Sequence, residues 1–277
     1  MGMGNARPHF FEENRMETYG LQLTNNSKTG PAFSLPRVSC INKTEACWKA
    51  CYGHGIRYQN DAQRAKRQQN YRTVMYLLKH GGPELLAENL TTLIDQARPI
   101  DWLTAKISGT ETAIPYSLRI HDLGDFVSAS YAEAWALAVR SRPECSFWFY
   151  TRSFLDDGLF AVLTKLAALP NCQGWLSLDR DNYCRGILAY ASASRFWKIA
   201  LLQEQEELMA PEMIEHLSST AKPGDIVTFP KHHGGRHVPE LLAPNFVVCP
   251  QILGGYALER SSAEPRPCQS CNFCLPQ

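Results

Sequence analysis

The residues with the clearest capacity for chemistry are cysteines, and their spacing sorts them into groups. Of ten in the chain, Cys40, Cys47 and Cys51 fall in the stretch CINKTEACWKACY, while Cys268, Cys271 and Cys274 lie near the last residue with Cys249-Pro250 upstream. Clustered thiolates of this kind are a pattern that holds metal. Three thiolates are one short of closing a tetrahedral site, whereas a [4Fe-4S] cubane on three cysteines leaves one iron open to a small molecule. The first group therefore reads as an open iron-sulfur cluster, with His54 available as a fourth ligand that would close it. Cys268-x2-Cys271-x2-Cys274 has the close packing of ferredoxin-type sites, and Cys249-Pro250 supplies a remote fourth thiolate followed by proline. That group reads as a closed auxiliary cluster. Zinc is the alternative at both. Cys145, Cys172 and Cys184 stand alone and read as packing residues.

Such groups need a scaffold, and the chain supplies an alternating one. Short apolar runs at Ala32 to Leu35, Ser117 to Ile120, Ser146 to Tyr150, Trp175 to Leu178, Trp197 to Leu202, Ile226 to Phe229 and Phe246 to Val248 read as strands. Between them, Gln59 to Lys79, a second segment to about Ala97, Tyr131 to Arg140, Asp156 to Leu169, Asn182 to Ser194 and Gln203 to Leu217 read as helices. Strands alternating with helices imply an α/β fold with a parallel sheet, here a partial or closed β/α (TIM-like) barrel with a cysteine-rich tail. The expected organisation is an N-terminal arm over 1–25, a barrel over 26–248 carrying the cysteine loop 40–54, and a cysteine-rich segment over 249–277.

In a β/α barrel the loops after the strands converge on one mouth. That rule gathers Cys40, Cys47 and Cys51 with His121, Asp122 and Asp125, then Tyr150-Thr151-Arg152, then Asp179-Arg180, then Lys231-His232-His233 and Cys249. His121, Asp125, Tyr150, Arg152 and Asp179 are the candidate acid-base or orienting groups.

Composition removes several classes. With 28 Lys and Arg against 27 Asp and Glu, no global field marks a nucleic-acid or membrane-surface protein. The basic set Arg57, Arg64, Lys66, Arg67, Arg72 and Lys79 is a local exception that could face nucleic acid, although a solvated helix face is the favoured reading. No apolar run nears the roughly 18 to 20 residues that span a membrane. The first twenty residues lack the apolar core of a secretory signal, which argues for the cytoplasm and against a disulfide framework. Walker A, GxGxxG, HExxH and GxSxG motifs are absent from the sequence.

Taken in order, Asn26-Ser27-Lys28-Thr29-Gly30, Ser34-Leu35-Pro36, the Cys40/Cys47/Cys51-Tyr52 stretch, Arg119-Ile120-His121 with Gly124-Asp125-Phe126, Trp148-x-Tyr150-Thr151-Arg152, Trp175 to Asp179 and the terminal cysteines resemble the gene product 88 family of phage and bacterial proteins. The resemblance runs from about Asn26 to Cys274. That family in turn resembles radical S-adenosylmethionine enzymes, with a cysteine loop after strand one and a Gly-Asp pair where those enzymes carry a GGE-like motif. The likeness implies that Gly124-Asp125 would receive the methionine amino group and that the Cys40 cluster would cleave the cofactor. Cys47-x3-Cys51-x2-His54 shares that signature's spacing with His in the last place, while the gap from Cys40 departs from it. The expectation is a cytoplasmic iron-sulfur protein, a redox or radical-type enzyme acting on a small molecule or macromolecule with an electron donor. The alternative is a zinc-stabilised, non-enzymatic nucleic-acid- or protein-binding protein.

Overall fold

Strand residues alternate between two faces, and that alternation dictates where the layers of this molecule lie. In a computed structural model, which describes residues 19–26, 28–98, 116–203, 210–230, 246–250 and 267–276, eight strands form one sheet in sequence order. They are β1 (Leu23–Asn26), β2 (Gly30–Phe33), β3 (Ser117–Ile120), β4 (Ser146–Thr151), β5 (Cys172–Leu178), β6 (Trp197–Gln203), β7 (Ile226–Pro230) and β8 (Val247–Val248). β1 and β2 pair antiparallel; every later pair is parallel. Among the described residues β1 pairs only with β2, and β8 only with β7, so the sheet is open. The fold is thus an α/β partial barrel, and the closed form is not seen.

The helices are α1 (Glu45–Ala50), α2 (Ile56–Gln59), α3 (Asp61–Ala97), α4 (Ala129–Arg140), α5 (Asp157–Ala167), α6 (Tyr183–Ala193), α7 (Pro211–Thr220) and α8 (Pro267–Cys271). α3 begins where the Asn60 side chain accepts from the N–H groups of Ala62 and Gln63. It breaks at Gly82, whose φ of 67° places it outside helical space just before Pro83. The helix expected from Gln203 begins at Pro211, with 204–209 outside the described residues. The same holds for Lys231-His232-His233.

One large core lies between the helices and one face of the sheet. It takes Leu118 and Ile120, Phe147 and Phe149, Leu176 and Leu178, and Ile199 and Leu201 from the strands, against Leu77, Leu90, Trp135, Leu163 and Tyr190. The intervening strand positions face the other way. There Trp175, Ala200, Val227 and Cys249 form a smaller cluster with Tyr150, Phe229, Phe273 and Cys274. No described helix is long and apolar enough to cross a membrane.

Candidate functional site: a cavity at the strand ends

Because β2 to β8 run parallel, their C-terminal ends share one side, and described residues there line a cavity of about 510 Å³. Its floor is the inward face of the sheet, with Trp148 and Tyr150 from β4, Ser177 from β5, Ala200 and Leu202 from β6 and Phe229 from β7. Around these stand Lys28, Thr29, Arg119, Asp122, Asp125 and Arg152, together with Cys40, Cys47, Cys51, Cys249, Cys268 and Cys274. Of the expected site residues, His121, Gly124, Asp125, Tyr150 and Arg152 line this cavity, whereas Asp179 is not in its lining.

Six carboxylate and guanidinium groups hold the mouth in shape. Arg152 donates from Nε and Nη2 to Asp179 Oδ2 at 3.2 and 3.0 Å, and from Nη1 to Ser177 Oγ at 2.7 Å. Burial disfavours the Arg152 charge, but Cys47, Asp179 and Asp125 outweigh it and raise its pKa. Asp179 Oδ2 also accepts from the Thr44 hydroxyl at 2.6 Å, and Asp181 Oδ2 accepts from Ala46 N at 2.9 Å. Those two bonds anchor the N-terminus of α1, where Thr44 caps Cys47 N. Asp125, 6% exposed, accepts from Thr151 Oγ1 at 2.7 Å, Phe126 N at 2.8 Å and Arg152 N at 2.8 Å. Burial raises its pKa, and these donors work against the rise. Arg119 donates to the His121 carbonyl at 3.1 Å, stands 3.6 Å from Asp122 and lies 4.9 Å over the Tyr150 ring.

Gly124 is fixed by geometry. Its φ is 93°, and a Cβ there would sit 2.6 Å from Leu35 Cβ and 2.7 Å from Ser39 Oγ. This close approach lets Leu35 N donate to Leu123 O at 2.8 Å and Asp125 N to Ser39 Oγ at 3.2 Å, tying the base of the cysteine loop to the β3–α4 loop. His121 is buried with its ring between Phe126 and Tyr131, Nε2 lying 2.8 Å from the Tyr131 hydroxyl and Nδ1 without a partner. Burial, and then Arg119, push its pKa down to about 3, so it is neutral at ordinary pH.

The metal expectation is overturned. Among the described residues no group of three or more His, Cys, Asp or Glu side chains is gathered so as to hold a metal ion. Neither an open [4Fe-4S] cluster on Cys40, Cys47 and Cys51 nor a closed one on Cys249, Cys268, Cys271 and Cys274 fits, and zinc fits neither group for the same reason. Two of the sulfurs are otherwise engaged: Tyr150 donates to Cys274 Sγ at 2.9 Å and Lys28 Nζ to Cys249 Sγ at 3.3 Å. Burial pushes Cys40 and Cys274 up to about 12 and Cys268 to about 11, and raises Cys47. The redox or radical S-adenosylmethionine-like enzyme, its cofactor and its electron donor go with the clusters that were to drive them, and so does the zinc-stabilised alternative. Cys145 and Cys172 are buried as expected, but Cys184 is exposed. Arg67, assigned to the basic helix face, is buried and donates to the Tyr58 carbonyl.

Sequence reasoning missed Lys28, Thr29, Thr44, Arg119, Trp148 and Phe229 as parts of the mouth. For Arg119, Trp148 and Phe229 a signal was present: each is a strand residue out of phase with the apolar core face. Thr44 carried none, since its partner Asp179 is 135 residues away.

Comparison with known proteins supports the gene product 88 resemblance. The Gene 88 protein of Mycobacterium phage L5 is 29% identical over 144 residues, covering 52% of this chain and 54% of that protein. The Gene 88 protein of Mycobacterium phage D29 is 29% identical over 144 residues, covering 52% and 53%. The chain thus spans about half the length of the curated relatives it matches. No solved structure matches. The family profile described as Gene product 88 matches residues 9–277, nearly the whole length, and the chain belongs to that family.

Proposed function

We propose that the chain is a small-molecule-binding protein whose ligand sits in the cavity at the C-terminal ends of the parallel strands. One observation carries this: a cavity of about 510 Å³ has an apolar, aromatic floor and a polar rim held by buried ion pairs. Organic ligands select that combination, because the floor supplies burial and a few placed polar groups supply orientation. Open parallel sheets offer it at this edge, where loops diverge from the strand ends. In this reading Arg152, Asp179 and Asp125 keep the rim in shape, Tyr150 and Trp148 pack on the ligand body, and Gly124 lets the cysteine loop close against β3.

The test uses a neutral fluorescent hydrophobe, N-phenyl-1-naphthylamine. It should bind saturably at one per chain, and Ala200→Trp, which fills the floor, should abolish saturable binding. Leu202→Trp, on the same inward face, gives a second variant should the first not fold. Lys165→Met, on the exposed side of α5, should leave binding unchanged. Binding that never saturates, or that survives both tryptophan variants in folded protein, would overturn the reading.

A further inference from the structure

The β1–β2 turn presents a cation and a buried hydroxyl side by side at the cavity wall. We propose that Lys28 and Thr29 form an oxyanion subsite, so that the ligand of this cavity is an organic anion: a carboxylate, sulfonate or phosphate on an apolar body. The proposal rests on the small-molecule reading above and goes on to name the chemical class.

Charge gives the first argument. The lining holds four cations, Lys28, Lys43, Arg119 and Arg152, against two carboxylates, Asp122 and Asp125. Arg152 is committed to Asp179, and Arg119 faces Asp122. Lys28 is half-buried, and among the described residues no carboxylate pairs with it. Its Nζ lies 3.3 Å from Cys249 Sγ and 5.6 Å from the centre of the Phe229 ring, over the apolar floor. An ammonium in that setting lacks a counter-charge, and an anionic ligand supplies one.

The second argument is independent of charge. Thr29 lines the same cavity, is only 2% exposed, and its Oγ1 has no hydrogen-bond partner. A buried hydroxyl left unpaired is unfavourable, and a ligand oxygen beside it would complete it. His121 also lines this cavity with Nδ1 unpaired, but its ring is packed between Phe126 and Tyr131 of the helix-side core. Thr29 instead adjoins the cation.

The turn is also preorganised. Lys28 N donates to Asn26 Oδ1 at 2.8 Å, Cys268 N donates to the Lys28 carbonyl at 3.0 Å, and Gly30 takes the φ of 75° that the turn requires. Little ordering remains to be done on binding.

The experiment compares two probes of similar shape, anionic 8-anilinonaphthalene-1-sulfonate and neutral N-phenyl-1-naphthylamine, on the full chain. Lys28→Met should weaken the sulfonate about tenfold, as expected for one charged hydrogen bond, and leave the neutral probe within about twofold. Lys28→Arg should retain most of the sulfonate affinity. Thr29→Val, isosteric and free of the unpaired hydroxyl, should fold normally and weaken the sulfonate alone. Inorganic phosphate should compete with the sulfonate and not with the neutral probe. If the neutral probe saturates while Lys28→Met and Thr29→Val leave the sulfonate untouched, or weaken both probes equally, the subsite is wrong and the cavity reading stands. If neither probe saturates, both are overturned.

Discussion

His121 shows how one residue's environment becomes a measurable property. Its backbone sits at a φ of 65°, rare for a side chain with a Cβ, and its ring is sealed in the core with a pKa lowered to about 3. An unfolded chain binds a proton at this site below about 6.5, while the folded chain does not until near 3. The unfolded state therefore holds more protons across that window, and stability falls as pH falls through it. The slope from one proton is about 1.4 kcal/mol per pH unit. Asp125 acts in the opposite sense above its ordinary value: its raised pKa means the folded state keeps the proton longer, so stability falls as pH rises. His121→Asn separates the two, because asparagine tolerates the left-handed backbone and does not titrate. Urea unfolding at intervals between pH 4 and 6.5 should show a lower overall stability for the variant and a shallower acid slope, by up to about 1.4 kcal/mol per unit. Equal slopes in the two proteins would remove His121 as a source of acid lability.

At the scale of elements, the parallel strands and their helices were legible because buried strands are short apolar runs bounded by turn residues. Ser117–Ile120 begins and ends where the sequence places it, and the long helix breaks at Gly82-Pro83, between the two segments that the sequence separates. β1, with sequence LTNN, is a polar edge strand paired on one side only, and nothing in its composition marks it. α1 lies hidden inside the cysteine stretch, which shows why the metal reading failed. Spacing along the chain fixes which cysteines are neighbours in sequence, whereas α1 and its anchorage to the β5–α6 loop decide where the sulfurs lie. Thr44 makes that anchorage, capping Cys47 N at 3.0 Å and donating to Asp179 at 2.6 Å. Thr44→Ala should cost about 1 to 2 kcal/mol from the lost cap and the lost donor to a buried carboxylate. Hydrogen exchange should quicken mainly over residues 45–50, and Thr44→Ser should restore protection. A Thr44→Ala protein with unchanged exchange there would show that α1 is held by something else.

At the scale of the whole molecule, an open sheet leaves its concave side to be covered, and the C-terminal segment covers it. Lys28, after β1, reaches Cys249, after β8, at 3.3 Å, so the two ends of the sheet approach across the mouth. The segment from Pro267 then bridges them: Cys268 N bonds to the Lys28 carbonyl, the Phe273 ring lies 5.8 Å from Trp175, and Trp175 Nε1 donates to the Cys274 carbonyl at 3.1 Å. Trp175 is fully buried in this way although it sits on the inner face of the sheet, and Leu275 of the same segment is buried as well. These contacts join residues far apart in sequence, so removal of the segment should loosen the cavity without dissolving the helix-side core. Deleting 267–277 should red-shift tryptophan emission and increase acrylamide quenching, and the change should be largely lost in a Trp175→Phe background. The milder Phe273→Ala should lower stability by about 1 to 2 kcal/mol, less than a fully buried phenylalanine costs, because Phe273 is only half-buried. Far-ultraviolet circular dichroism of the truncated chain should keep its helical signal, since α3 to α7 pack on the opposite face. Unchanged emission and quenching after truncation would mean that Trp175 is shielded by the sheet alone, and the tail would lose its place as the cover of the cavity.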